Sequence, residues 1–454
     1  MTYSVGLVNL GCAKNQIDAE IMLAKLEKAG YEVKDDAALA DVAIVNTCGF
    51  IQAAKQESID EILELARLKA EGKIRAIIVT GCLAERYREE VRKNLPEVDA
   101  VAGIGANGEI ERLVAGVLAG KSGQVFPQKT KLPICGERRL LTPSWSAYLK
   151  IAEGCDNRCA YCAIPMIRGR YRSRPAEDIV AEARTLVKNG AKELVLIAQD
   201  TSRYGIDLYG SLMLPVLLRE LCKIDGLAWI RLLYCYPDTM TDELIDTIAR
   251  EDKIVKYVDL PLQHCSGRVL KSMRRAGDRA SLTALIEKMR ARIPGLVLRT
   301  TLIAGFPGET EEEFDDLCGF VREIRFERLG CFSYSQEEGT AAAEMPDQVE
   351  EEEKQRRTEF IMETQMGIMQ ELGERMAGKT LRVLTEGFDR YAGCWFGRSY
   401  ADSPDVDGKV FFSVKGKKPI PGRFVRVLVT GCMDGDLTGE LVMGNGGDGN
   451  ESAQ

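Results

Sequence analysis

Short apolar runs alternate with amphipathic stretches along the first part of the chain. Four runs predict strands and four stretches with apolar positions at helical spacing predict helices. The strands span residues 5–10, 42–46, 74–80 and 98–101, and the helices span 17–29, 53–70, 84–94 and 109–118. Strands that alternate with helices are typical of a parallel sheet covered on both faces. We therefore expect residues 1–120 to form a doubly wound α/β domain.

The same alternation resumes after a polar segment, 121–142, that contains Gly and Pro and is interpreted as a linker. Six further strands are predicted, and each but the last is clearly followed by a helical stretch. They span residues 148–152, 193–198, 229–234, 257–260, 297–304 and 328–334. Six βα units predict a partial (β/α)6 barrel over residues 143–345, with its site at the carboxyl ends of the strands.

The last part of the chain has a different pattern. A long charged helix is predicted at 348–376, within a connecting segment assigned to 346–376. Four β-rich runs follow, at 380–385, 391–397, 408–414 and 423–430, and Gly, Pro and Asp turns separate them. This pattern predicts a small antiparallel β-barrel over residues 377–443. The tail 444–454, rich in Gly and Asn, is predicted to be disordered.

Composition and charge narrow the class of protein. Apolar residues make up 45% and charged residues 29% of the 454-residue chain, as in ordinary globular proteins. No leader peptide or long apolar span is evident, so we expect a cytoplasmic protein without a membrane segment. The net charge of -8 argues against binding of nucleic acid through a basic surface.

The 14 cysteines are not expected to form disulfides in a reducing cytosol, so metal ligation is the better interpretation for any that cluster. Histidine is nearly absent. His264 is the only one, which excludes zinc sites that need two histidines. We expect His264 to be a core residue.

Three cysteines follow the first predicted barrel strand: Cys155, Cys159 and Cys162. One short loop can bring such thiolates around an iron-sulfur cluster. A bacterial ferredoxin run would supply a further cysteine at position 166, where this chain has Met166. One iron would then be open to a substrate or cofactor. The alternatives are a zinc knuckle, which needs a fourth ligand, and three unrelated buried cysteines.

Cys12, Cys48 and Cys82 each lie in the first turn after a predicted strand of the amino-terminal domain. Ligands of open α/β sheets bind beyond the carboxyl ends of the strands, so these three thiolates can converge on one edge. A second cluster with an open iron is therefore predicted. The alternative is that all three are small buried hydrophobic residues.

Four arginines alternate shortly after the barrel cysteines: Arg168, Arg170, Arg172 and Arg174. An extended chain would place all four guanidinium groups on one face. Contact with an anionic ligand and a structural ion-pair network remain equally open, because arginine suits both.

The cysteine segments resemble known families. Residues 153–162 resemble the radical S-adenosylmethionine (SAM) signature, and residues 10–15, 45–51 and 81–87 resemble the amino-terminal domain of methylthiotransferases. The last domain resembles the TRAM domain, which in related enzymes grips RNA. This resemblance implies two 4Fe-4S clusters on the six cysteines, with SAM at the open iron of the barrel cluster. It also implies SAM contacts from four residues: Tyr161, Gln199, Gly305 and Gly308.

The reaction implied by the resemblance replaces a C–H bond by C–SCH3 through a deoxyadenosyl radical, with electrons from a flavodoxin-like or ferredoxin-like donor. Residues 11–15, 197–202, 261–264 and 334–340 resemble the branch that modifies the β-carbon of an aspartate in small-subunit ribosomal protein twelve. The expected partner is that protein or the assembling small subunit, and the enzyme is expected to be a monomer. Modification of a tRNA adenosine is the alternative. A two-cluster electron carrier with no reaction of its own is a third possibility.

Overall fold

The structure, a computed structural model, describes residues 3–129 and 134–442. The predicted disordered tail, 444–454, lies outside the described residues. None of the helices in the described ranges is both long and apolar enough to cross a membrane. The described chain folds as an amino-terminal α/β domain, a central barrel and a carboxyl-terminal β-barrel.

The amino-terminal domain is built on a six-stranded sheet in which every pairing is parallel. The strand order is β2-β1-β3-β4-β5-β6, so β1, β3 and β4 are neighbours. The strands are β1 (Ser4–Asn9), β2 (Glu32–Lys34), β3 (Val42–Thr47), β4 (Ala76–Gly81), β5 (Ala100–Ala102) and β6 (Gly123–Val125). The predicted doubly wound sheet is confirmed. The pattern missed β2 and β6, because each has three partly exposed residues and too little apolar character to stand out.

Helices cover both faces of this sheet. They are α1 (Ala13–Lys28), α2 (Gln52–Ala70), α3 (Cys82–Arg86), α4 (Arg88–Asn94) and α5 (Ile110–Leu118). Side chains alternate along each strand, so Ile44 packs with α1 and α5 whereas Val45 packs with α2 and α3. The helix predicted at 84–94 is divided at Tyr87, whose backbone leaves the helical region.

The central sheet is also parallel throughout, in the order β14-β13-β12-β11-β10-β7. A short ribbon, β8 with β9, lies beside it. The strands are β7 (Ser146–Lys150), β8 (Ala152–Glu153), β9 (Arg172–Ser173), β10 (Glu193–Ile197), β11 (Trp229–Leu232), β12 (Ile254–Asp259), β13 (Val297–Ala304) and β14 (Arg328–Ser333). The two end strands, β7 and β14, do not pair with each other, so the sheet does not close and the barrel is partial, as predicted.

The outer face of this barrel is covered by helices that bury residues such as Leu194 and Ile230. They are α7 (Ala176–Lys188), α9 (Leu214–Cys222), α10 (Asp242–Arg250), α11 (Gly267–Ser272), α12 (Arg279–Arg292) and α13 (Glu311–Ile324). Two short helices are not part of this layer: α6 (Ile164–Arg168) packs against the amino-terminal domain, and α8 (Ile206–Tyr209) buries no residue. The inner face instead packs against the other two domains. Ile17 and Ile21 of α1 join Val195 and Tyr257 there, so the amino-terminal domain closes part of the barrel.

The long helix α14 (Glu351–Glu374) leads to five strands that form a closed barrel in the order β15-β16-β17-β19-β18. The strands are β15 (Thr380–Asp389), β16 (Cys394–Arg398), β17 (Val410–Ser413), β18 (Phe424–Met433) and β19 (Asp436–Leu441). Four pairings are antiparallel, whereas β17 and β19 pair in parallel. The pattern missed β19, a short half-exposed strand.

A buried ionic group joins the carboxyl-terminal domain to the barrel. Glu193 of β10 accepts hydrogen bonds from Arg231 of β11 at 2.9 Å and from Arg398 of β16 at 2.7 Å. Although burial opposes its ionisation, these two arginines lower the pKa of Glu193 to about 2. The carboxyl-terminal domain is therefore fixed to the inner face of the barrel.

Candidate active site

The loops after β1, β3 and β4 place Cys12, Cys48 and Cys82 at one edge of the amino-terminal sheet. Two glycines let these loops come close together. Gly11 has φ +91°, and a Cβ there would lie 2.9 Å from the Cβ of Cys48. Gly81 has φ +95°, and a Cβ there would lie 2.5 Å from the carbonyl oxygen of Thr47. Any other residue would strain the backbone and push the loops apart.

Asn15, in the first turn of α1, ties the same loops together. Its Nδ2 donates to the carbonyl oxygen of Leu10 at 2.8 Å and to that of Thr47 at 2.9 Å. Its Oδ1 lies 3.8 Å from the sulfur of Cys82. One side chain therefore contacts all three strand ends. Sequence reasoning missed this role, although its position three residues after Cys12 was visible.

The three thiols of this group differ in their surroundings. Cys12 is exposed, Cys48 is partly exposed and Cys82 is buried. Burial raises the pKa of Cys82 to about 12; Arg168 opposes this shift, and the nearby Cys12 and Cys48 contribute to it. Surrounding protein would also raise the pKa of Cys12, but Lys14 and Arg168 lower it below its usual value. The approach of Gly11 to the sulfur of Cys48 and the contact of Asn15 with the sulfur of Cys82 bring the three loops to one edge of the sheet.

The second group lies on the loop that follows β8 in the central barrel. Its backbone is held by Ala160, whose N–H donates to Met273 and whose carbonyl accepts from Ala342. Burial raises the pKa of both Cys155 and Cys162 to about 12, with Cys159 adding to both shifts. The backbone N–H of Cys162 donates to the carbonyl oxygen of Cys159 at 3.1 Å, so these two cysteines share one turn.

Arg275 and two tyrosines surround this second group. Arg275 lies over the ring of Tyr236, with its guanidinium carbon 4.5 Å from the ring centroid. It also donates from Nη1 to the sulfur of Cys159 at 3.9 Å. Burial raises the pKa of Tyr161 well above its usual value, while Arg275 opposes the shift and Cys159 adds to it. Tyr161 therefore lies beside the barrel cysteines.

The structure provides different polar groups at the other three predicted SAM contacts. Gln199 donates from Nε2 to Glu153 at 2.8 Å, and its Oε1 is buried without a hydrogen-bond partner in the described chain. The N–H of Gly305 donates to Glu309 at 3.0 Å. Gly308 donates to the carbonyl of Asp347 and accepts from Arg268, so both of its backbone polar groups are engaged. Gln199 therefore keeps a buried side-chain acceptor free.

A buried ionic network lies between the two groups of cysteines, and we call Asp18, Lys150, Glu153 and Arg168 the central network. Lys150 pairs with Asp18 at 2.8 Å and with Glu153 at 2.9 Å. Arg168 pairs with the same carboxylates at 2.9 and 3.1 Å. Arg168 also donates to Asn15 at 2.9 Å and to the sulfur of Cys82 at 3.7 Å.

This network corrects the interpretation of the alternating arginines as one extended face. Arg168 ends α6 and is 1% exposed, whereas Arg170 is 83% exposed and pairs with Asp156. Arg174 is buried and pairs with Glu182. The helical turn and Gly169, at φ +81°, rotate these side chains to different sides. Arg168 and Arg174 therefore form structural ion pairs, which is one of the two interpretations that the sequence left open.

The two cysteine groups meet through α6. Cys82 packs with Ala163 and Ile167 in one small apolar cluster, and Ala163 directly follows Cys162. Ion pairs also join the amino-terminal domain to the barrel: Glu337 pairs with Lys55 at 3.0 Å and with Arg86 at 2.6 Å. The sequence alone gave no sign that these two groups adjoin.

His264 is a core residue, as predicted. It is fully buried, its Nδ1 accepts from the backbone N–H of Ser266 at 2.9 Å, and its Nε2 lies 3.6 Å from Glu309. A surface cavity of about 460 Å³ elsewhere, along α2, is lined by residues such as Asp60, Leu63 and Arg67. It contains none of the predicted site residues.

Within residues 3–129 and 134–442, no three His, Cys, Asp or Glu side chains are arranged around a single metal ion. In a cubane cluster each thiolate ligates a different iron, so the sulfur atoms need not converge on one point. All six cysteines are free thiols. Their donor chemistry fits two clusters that each keep an open iron.

Three family models match consecutive parts of the chain. They are the Uncharacterized protein family UPF0004 at residues 4–103, the Radical SAM superfamily at 149–321 and the TRAM domain at 377–442. Among solved structures, the radical S-adenosylmethionine methyltransferase TsrM from Kitasatospora setae has a TM-score of 0.52 at 16% identity. The similarity covers 73% of this chain and 75% of that one, and it concerns the fold alone.

Two curated relatives are similar over nearly the whole chain. Ribosomal protein uS12 methylthiotransferase RimO from Pelotomaculum thermopropionicum is 51% identical, covering 98% of this chain and 100% of its own. The protein of the same name from a Thermoanaerobacter species is 49% identical, covering 96% and 99%. Identity at this level across all three domains goes beyond a shared fold, and the chain belongs to the ribosomal protein uS12 methylthiotransferase family of radical SAM enzymes.

Proposed function

We propose that this protein adds a methylthio group to the β-carbon of an aspartate in ribosomal protein uS12. The observation that carries the proposal is the contact of Cys82 with Ala163 and Ile167, which joins the two cysteine groups in one interdomain site. A transfer reaction needs the group that activates the substrate and the group that supplies sulfur within reach of the same carbon. Separate electron-carrying centres would not require this shared site.

Two 4Fe-4S clusters are assigned to the two cysteine groups. When bound, they and SAM supply the reductive cleavage that yields a hydrogen-abstracting radical and the sulfur for transfer. Cys155, Cys159 and Cys162 would hold the first cluster and leave one iron open for SAM. Arg275 would direct a positive charge at the Cys159 thiolate, which stabilises the ligated form. Cys12, Cys48 and Cys82 would hold the second.

The residues proposed for SAM binding act in different ways. Gln199 offers a buried carbonyl oxygen without a partner, which fits an amino or hydroxyl donor of SAM. Tyr161 provides an apolar ring beside the same cysteines. Gly305 and Gly308 donate their N–H groups within the chain, so their part in the site is to shape a close-fitting turn.

The amino-terminal cysteine group is held rigidly for its role. Asn15 ties the three loops, and Arg168 links Cys82 to the carboxylates of the central network. Such supporting contacts orient metal ligands and stabilise their deprotonated form. The chain is proposed to act as a monomer that receives electrons from a flavodoxin-like or ferredoxin-like protein. Its acidic charge suits approach to a basic ribosomal protein or assembling small subunit.

The proposal is tested with anaerobically reconstituted protein, SAM, sulfide and a reductant. A peptide with the target loop of uS12 should gain about 46 Da, the mass that replaces C–H by C–SCH3, with fragment ions placing the change on aspartate. Bulk tRNA is incubated under the same conditions as the alternative substrate. Methylthio groups on tRNA adenosine with an unmodified peptide would contradict the proposed substrate. Absence of deoxyadenosine with intact clusters would instead support an electron carrier.

A further inference from the structure

Lys14 is a buried cation without a carboxylate partner. It lies in the first turn of α1, two residues after Cys12, and is 6% exposed. Its ammonium lies 3.1 Å from the centroid of the Tyr234 ring. Among the described residues, no carboxylate oxygen lies within 4.0 Å of the Lys14 ammonium nitrogen, the distance that defines an ion pair. Removing an ammonium from water is costly unless an opposite charge compensates it.

The nearby carboxylates are already committed to other cations. Glu153 pairs with Lys150 and Arg168 in the central network. Asp259 pairs with Arg299 at 3.0 Å and accepts the backbone N–H of Tyr234 at 2.9 Å. The central network balances two carboxylates with two cations. Lys14 therefore adds a positive charge that no carboxylate pairs with directly. The neighbouring group that can carry a negative charge is the thiol of Cys12, whose pKa Lys14 lowers.

Lys14 lies where an exposed thiol meets the apolar cluster that contains Ile17 and packs against Tyr234. Cys12 beside it is exposed, so solvent-sized molecules reach this part of the interface. Tyr234 has φ +61°, an uncommon conformation for a tyrosine that places its ring under the ammonium at the carboxyl end of β11. The amino terminus of α1 adds further positive potential. An incoming anion would meet Lys14 between the two cysteine groups.

We propose that Lys14 binds the side-chain carboxylate of the target aspartate and so selects aspartate over neutral residues. This inference rests on the proposed function. The carboxylate is bonded directly to the β-carbon, so an ion pair to it also determines where the reacting C–H bond lies. Lys14 thus acts as a specificity and positioning residue beside Cys12.

The test is a double-mutant cycle of peptide binding to reconstituted protein without reductant, so that no turnover occurs. Fluorescence anisotropy measures the affinity of the uS12 peptide and of the same peptide with Asn at the target position. Lys14→Met should weaken binding of the aspartate peptide by about ten- to a hundredfold, as expected for a charged hydrogen bond. It should leave binding of the asparagine peptide unchanged. Lys14→Arg should retain the preference for aspartate.

Lys28→Met is the matched control, because Lys28 lies on the same helix with an exposed side chain paired to Glu137. It should bind both peptides as the wild type does. Equal weakening of both peptides by Lys14→Met would overturn the inference. Loss of iron in step with lost affinity would also overturn it, since Lys14 would then serve the cluster. A wild-type protein that neither binds nor modifies the aspartate peptide would overturn the proposed substrate itself.

Discussion

The two cysteine groups contain the same number of thiols but are built in different ways. Cys155, Cys159 and Cys162 come from one loop, and their spacing alone brings them together. Cys12, Cys48 and Cys82 come from three loops and meet because β1, β3 and β4 are neighbours in a parallel sheet. The first group therefore depends on local backbone, whereas the second depends on the whole amino-terminal fold.

The arginines beside the two groups differ in the same way. Arg275 contacts Cys159, the ring of Tyr236 and the carbonyl of Pro261, all within the barrel. Arg168 contacts Cys82 but also pairs with Asp18 of the amino-terminal domain. One arginine adjusts its site locally, and the other also holds two domains together. Their substitutions should therefore have different consequences.

The largest expected effects come from removing each cysteine group. Protein with both clusters should contain about eight irons, and alanine at either group should leave about half. Loss of the barrel group should abolish deoxyadenosine formation, whereas loss of the amino-terminal group should abolish sulfur transfer only. Iron analysis and chromatography of SAM products measure these outcomes.

The control replaces three cysteines outside both groups, Cys135, Cys394 and Cys432, by alanine. All the iron should remain. If loss of Cys12, Cys48 and Cys82 stopped SAM cleavage while the barrel cluster stayed intact, the proposed division between the two groups would be wrong.

Arg168→Met should destabilise the fold. It leaves Asp18 and Glu153 buried with Lys150 as their one remaining cation in the central network, which costs about 3–5 kcal/mol for a broken buried ion pair. Anaerobic urea unfolding measures this loss. Arg170→Met is the control and should leave the midpoint nearly unchanged, because Arg170 is highly exposed. Similar midpoints for both variants would show that the central network does not hold the domains.

Arg275→Met should have the smallest of these effects. A positive charge near a ligating thiolate favours the reduced, more negative cluster, so its removal should lower the reduction potential of the barrel cluster. The expected shift is on the order of 60 mV, a tenfold change for one electron. Redox titration followed by electron paramagnetic resonance measures it. A shift of the amino-terminal cluster instead would contradict the assignment of Arg275 to the barrel site.

Much of the fold was predictable because its signals are local. Runs such as 193–198 and 297–304 appear as buried strands with nearly the predicted bounds. A capping box between Thr310 and Glu313 begins α13, and it too involves residues only three positions apart in the chain. Weak signals failed: β2, β6 and β19 are short and half exposed, and their pairing depends on neighbouring strands. Alternation of Arg168 and Arg170 was misleading because α6 and Gly169 change their directions.

The sequence by itself determined the three domains, the parallel sheets and both sets of cysteines, because hydrophobic periodicity and ligand spacing act over a few residues. Only the tertiary structure decided that the two sets adjoin through Cys82 and Ile167, and that Asp18 pairs with Arg168. It also decided that Lys14 lies over the ring of Tyr234 with no carboxylate paired to it. These contacts join residues far apart in the chain, and their energies depend on burial and charge balance that exist only once the domains have packed.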